Sequence, residues 1–94
     1  MMVTQKVRLA NRYGLHMRPA QGLMQVAARQ KCEVFIESNG TKANAKSIIE
    51  LISLAAEGGT EVNVICQGEK EAESLKEIIK LIEQMPELYE EERI

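Results

Sequence analysis

Two hydrophobic periods alternate along this chain, and their order leaves few ways to bury both. Val3, Gln5, Val7 and Leu9 alternate with Thr4, Lys6 and Arg8, the period of a strand with one buried face. Tyr13-Gly14 breaks that pattern. Ala20, Leu23, Met24, Ala27 and Ala28 then recur at the spacing of an amphipathic helix. Pro19 is compatible only with the first turn of that helix, so it starts close to His16 or Met17. Period two returns at Cys32, Val34 and Ile36. Asn39-Gly40, whose residues both tolerate positive φ, then predicts a tight hairpin into a short return strand over 41–44. Ser47 and Glu50 form a capping-box pair ahead of Ile48, Ile49, Leu51 and Ile52, a short helix expected to end at Gly58-Gly59. Val62, Val64 and Cys66 predict the last strand. Gly68 opens the last helix, with the stripe Ala72, Leu75, Ile78, Ile79 and Ile82, and Pro86 is expected to end it.

The order strand, helix, strand, strand, helix, strand, helix predicts an α+β fold. A four-stranded, mostly antiparallel sheet would carry three helices on one face, an open-faced β-sandwich. The other face would be solvated through Lys6, Arg8, Glu33, Glu37, Glu61 and Asn63. Phe35 and Ile65 interrupt that polar face, which suggests a cross-strand pair. At 94 residues the chain reads as one domain, 1–94, with an acidic tail over 87–94 containing Glu87, Glu90, Glu91 and Glu92.

Composition excludes several classes of function. Net charge is −2, which argues against a general nucleic-acid binder, since such proteins need a basic surface. Trp is absent and only Tyr13, Phe35 and Tyr89 are aromatic, so a base-stacking platform is not expected. No apolar stretch is long enough to span a bilayer, and the start does not read as a signal peptide, so a cytoplasmic location with no membrane contact is the expectation. Cys32 and Cys66 lack metal-ligand spacing, and each lies inside an apolar alternation, as small buried hydrophobes do.

The chemistry-bearing residues gather at Gly14-Leu15-His16-Met17-Arg18-Pro19-Ala20. Amides at a helix N-terminus favour an anion. Arg18, in the first turn, can offer a forked guanidinium to phosphate oxygens. His16 is the only histidine, and histidine can act as a nucleophile that holds a covalent group. A lone histidine at a helix start is also a common cap or surface residue, and local chemistry leaves both readings open. No second ligand accompanies His16, so no metal and no cofactor are expected.

The same residues resemble the active-site signature of HPr, the histidine-containing phosphocarrier family of the bacterial phosphotransferase system. Asn39-Gly40, Ala45-Lys46-Ser47-Ile48-Ile49, Ser53-Leu54 and Gly58 follow at the family's spacing, and the resemblance covers residues 3 to 85. It implies a carrier, not an enzyme. Enzyme I would place a phosphoryl group derived from phosphoenolpyruvate on the δ1 nitrogen of His16, and an enzyme IIA domain would accept it in sugar uptake. Arg18 matches the arginine beside that histidine. Ser47 matches the family's regulatory serine, the target of a dedicated HPr kinase/phosphorylase in many bacteria. Ser47 is equally an ordinary helix cap. Glu50 departs from the glycine common in kinase-regulated members, and its charge would oppose a phosphoserine.

Partner docking is expected on Met17, Gln21 and Met24 of the first helix and on Ile48, Ile49 and Ile52 of the short one. A carrier that meets two partners in turn on one face is most simply a monomer. The alternative within the family is a regulatory, nitrogen-branch or non-transport HPr-like protein that acts by phosphorylation-dependent binding. Purely regulatory relatives lack the phosphorylatable histidine, and His16 is present here. A small RNA- or ligand-binding module would need a basic or aromatic open sheet face, which Phe35 among glutamates does not supply.

Overall fold

The period-two segments pair as a sheet. In the computed structural model, which describes residues 2–89, the strands are β1 (Met2–Arg8), β2 (Cys32–Ser38), β3 (Thr41–Asn44) and β4 (Glu61–Gly68). They form one sheet in the order β1-β4-β2-β3, and every pairing is antiparallel. The helices are α1 (Met17–Ala28), α2 (Ile48–Ser53) and α3 (Glu71–Tyr89). α3 lies across β1 and β4, α2 lies against β3, and α1 packs on both other helices. The open-faced β-sandwich is therefore present, with its strands and helices in the expected order.

The two periodicities meet in one core. Val34, Ile36, Val62, Val64 and Cys66 point inward from the sheet, and Leu23, Leu51, Ile78 and Ile82 descend on them from the helices. Each such side chain is almost fully removed from water, and burying one aliphatic side chain of this size is worth roughly 2 kcal/mol. Cys32 and Cys66 are both buried and free. Burial, with the neighbouring Cys32 thiol contributing less, pushes the Cys66 thiol up to about 12.

On the open face, Lys6, Arg8, Glu33 and Glu61 are exposed, while Glu37 and Asn63 are half-buried. Phe35 and Ile65 stand directly opposite each other in the β2–β4 register, the cross-strand pair the sequence suggested. The Lys42 ammonium lies 4.7 Å from the Phe35 ring centroid and covers part of the apolar surface.

Four local expectations are corrected. α2 ends at Ser53, well before Gly58-Gly59. Leu54 N–H is shared between the Glu50 and Leu51 carbonyls, which tightens the last turn, and Ala55 follows at φ 53, outside helical space. The Glu50 carboxylate does not close a capping box on Ser47. It accepts the Asn44 N–H at 2.8 Å, because Ser47 N–H already bonds the Asn44 carbonyl at 3.0 Å. Gly68 remains in β4 and α3 starts at Glu71, whose carboxylate accepts the Gly68 N–H at 2.9 Å. Pro86 does not end α3. The helix continues to Tyr89, so 87–89 are helical, while 90–94 of the expected acidic tail lie outside the described residues. Proline removes one intrahelical bond. Here buried Met85 before it and Tyr89 after it pack on the core and hold the last turn in place.

Candidate functional site

Residues 9–15 carry the chain from β1 into α1, and a second loop holds them. Leu9 N–H donates to the Thr60 carbonyl at 2.9 Å, Gly59 N–H to Leu9 at 2.7 Å, and Leu15 N–H to Ala56 at 3.0 Å. Gly14 sits at φ 65, and a Cβ there would strike the Ala56 carbonyl. A Cβ at Gly58 would strike the backbone of Asn11 and Arg12 from the other side. Asn11 is buried, and its side-chain amide donates to the Gly14 carbonyl at 2.8 Å. The turn that delivers His16 is thus pinned by backbone contact with residues 56–60.

His16 is the N-cap of α1. Its backbone is extended, at φ −81 and ψ −171, and its carbonyl accepts Ala20 N–H at 2.9 Å. Its side chain makes no capping hydrogen bond, so the imidazole is not engaged by the helix amides. The half-buried ring meets Tyr13 edge-on, with centroids 5.7 Å apart and planes at 89°. Arg12 lies 5.9 Å from the Tyr13 ring on the loop side. Arg18 is in the first turn of α1, exposed, with its guanidinium carbon 6.0 Å from the Tyr89 ring centroid. Helix start and imidazole therefore share one end of α1, a setting that favours a bound anion, and Arg18 leaves the first turn there with its guanidinium turned toward Tyr89.

The other residues singled out from the sequence divide by exposure. Ser47 is the N-cap of α2, and its hydroxyl accepts the Glu50 N–H at 3.3 Å. Met17 is 59% exposed and Ile49 75%, unusual for large apolar side chains, and Gln21 is exposed between them in sequence. Met24, Ile48 and Ile52 are half-buried and pack on the core. α1 and α2 are in contact, so the exposed members lie on neighbouring helices. Among the described residues no group of three His, Cys, Asp or Glu is placed to hold a metal ion, and no helix is long and apolar enough to cross a membrane.

Three contributors had no sequence reading as part of this site. In the sequence Tyr13 and Tyr89 stand out only as two of three aromatics, Tyr13 at the end of a strand and Tyr89 beyond the proline expected to end α3, and Asn11 carries no signal. Gly14 beside Gly58-Gly59 was the available hint, since two loops rich in glycine can approach backbone to backbone.

Comparison with known proteins agrees with this geometry. A family model described as "PTS HPr component phosphorylation site" matches residues 3–84. The chain belongs to the HPr family. It is 46% identical over 83 residues to the HPr-like protein Crh of Bacillus subtilis, covering 88% of this chain and 98% of that one. It is 36% identical over 81 residues to the phosphocarrier protein HPr of Neisseria meningitidis, covering 86% and 91%. The crystal structure of HPr-C-His from Thermoanaerobacter tengcongensis superposes with a TM-score of 0.86 at 32% identity, covering 90% of this chain and 96% of that one. HPr-family proteins are phosphocarriers rather than enzymes.

Proposed function

We propose that this HPr-family protein carries a phosphoryl group on His16, taking it from Enzyme I, charged by phosphoenolpyruvate, and passing it to enzyme IIA domains in sugar uptake. The observation that supports this most is the state of His16: an N-cap whose imidazole takes no part in capping, at a helix start that also carries Arg18. The imidazole δ1 nitrogen would attack the phosphorus carried by Enzyme I, and the bond from phosphorus to Enzyme I would break with its electron pair left on Enzyme I. The helix N-terminus favours the negative charge that arrives, and the Arg18 fork can pair with phosphoryl oxygens. Transfer of this kind rests mainly on positioning and charge. Met17, Gln21 and Ile49 would form the exposed part of the docking face, with Met24, Ile48 and Ile52 behind them. Ser47 would be the regulatory phosphorylation site of an HPr kinase. The protein would act in the cytoplasm as a monomer.

A second reading follows from the 46% identity to Crh: an HPr-like protein that regulates through binding and need not serve transport. His16 counts against a purely non-phosphorylated form of that reading. The test is incubation with phosphoenolpyruvate and Enzyme I, read as an acid-labile mass increment of one phosphoryl group. The expected label is lost in His16→Ala, whose circular dichroism stays native. Arg18→Lys, a point charge in place of a fork, is expected to slow transfer. Absence of label with an Enzyme I proven on another acceptor would favour the regulatory reading.

A further inference from the structure

Gly22 stands in the middle of α1 with an ordinary helical backbone, where glycine costs stability relative to alanine. Close approach explains it. A Cβ at this position would collide with the Tyr89 hydroxyl and press on the ring carbon Cζ at 3.1 Å. Tyr89 reaches the notch because α3 runs on through Pro86, beyond residues 3–84 of the family match. Its ring is half-buried against the core, so it is a fixed platform, whereas Arg18 is exposed. Arg18 lies one turn before Gly22 on the same face of α1. Its guanidinium carbon is 6.0 Å from the Tyr89 centroid, and the two residues line a hollow of about 240 Å³ with Gln21, Gly22 and Gln25. His16 is not a wall of that hollow.

We infer that Tyr89 is a positioning residue for Arg18: its ring holds the guanidinium along the flank of α1, and the guanidinium leaves the ring to meet a phosphoryl group on His16. This rests on the carrier reading of His16. Removing the ring removes a competitor for Arg18. Tyr89→Ala is therefore expected to raise the rate of phosphoryl acceptance by about two- to five-fold, the weight of one exposed cation–π contact. In the unphosphorylated protein it should also shift the Arg18 Nε–H proton resonance downfield, away from the shielding of the ring face. Tyr89→Phe keeps the ring and should restore both values. Gly22→Ala should push the ring out and act like Tyr89→Ala, with a smaller effect in the Tyr89→Phe background, where the colliding hydroxyl is gone.

An Arg18 resonance that is the same in wild type and Tyr89→Ala overturns the inference. So does an acceptance rate unchanged or lower in Tyr89→Ala when the wild type is labelled. Failure of the carrier reading is distinct: it appears as an unlabelled wild type, and the inference falls with it.

Discussion

Gly14→Ala and Gly40→Ala make the same chemical change on backbones of similar twist, φ 65 and φ 82. Both variants place an L-residue in the left-handed region, at a cost of roughly 1–2 kcal/mol. They differ in what the new methyl meets. At Gly40, in the exposed β2–β3 turn, nothing lies within 4 Å. At Gly14 the methyl runs into the Ala56 carbonyl oxygen, which also accepts the Leu15 N–H at 3.0 Å. Leu15 and Ala56 are both buried. The loop must move to make room, and a buried hydrogen bond left unmade costs about 1–3 kcal/mol. The expected losses are about 1–2 kcal/mol for Gly40→Ala and about 2–5 kcal/mol for Gly14→Ala. In a domain of this size each kcal/mol moves Tm by about 4–8 °C. Thermal unfolding followed by circular dichroism at pH 7 should therefore place Gly14→Ala roughly 10 °C below Gly40→Ala. Phosphoryl acceptance should fall in Gly14→Ala alone, because that loop delivers His16. Equal Tm values for the two variants would refute the claim that contact with residues 56–60 holds the loop.

Three further outcomes are expected. Ser47→Ala removes the cap of α2 and should cost about 0.5–2 kcal/mol in urea unfolding, whereas Ser47→Asp, which can still cap, should stay close to wild type. The Cys66 thiol is held up to about 12 by burial, from an ordinary 9.0. An unfolded chain releases that proton near pH 9 while the folded chain keeps it. Stability should therefore be intact below pH 9 and fall between pH 9 and 12, by at most about 1.4 kcal/mol per pH unit, and Cys66→Ala should flatten that slope in alkaline denaturation curves. Ile49→Lys, at an exposed position, should leave Tm unchanged and weaken binding to Enzyme I by titration calorimetry. Unchanged affinity would take Ile49 out of the docking face.

Most of the architecture was readable because it is encoded locally. The period-two runs place Val34, Ile36, Val62 and Val64 on the inner face whatever the strands pair with, and Asn39-Gly40 closes its hairpin from two adjacent residues. Ser47 caps the helix that starts beside it. The phosphoacceptor candidate was equally legible, since His16, Arg18 and Pro19 lie within four positions of one helix start.

The parts that escaped depend on residues distant in sequence. Pro86 is a sound stop signal for an isolated helix, yet packing of Met85 and Tyr89 outweighs one missing hydrogen bond. Gly58-Gly59 reads in the sequence as the end of α2, but Gly58 instead lets its backbone approach Asn11 and Arg12. The notch at Gly22 has meaning only once Tyr89 arrives beside it. Short-range sterics and hydrophobic period set the elements and the start of the site from the amino-acid order alone. Which glycine is a turn and which is a contact, and which aromatic ring faces Arg18, were decided by tertiary packing, because those choices are made by atoms that the chain brings together only after it has folded.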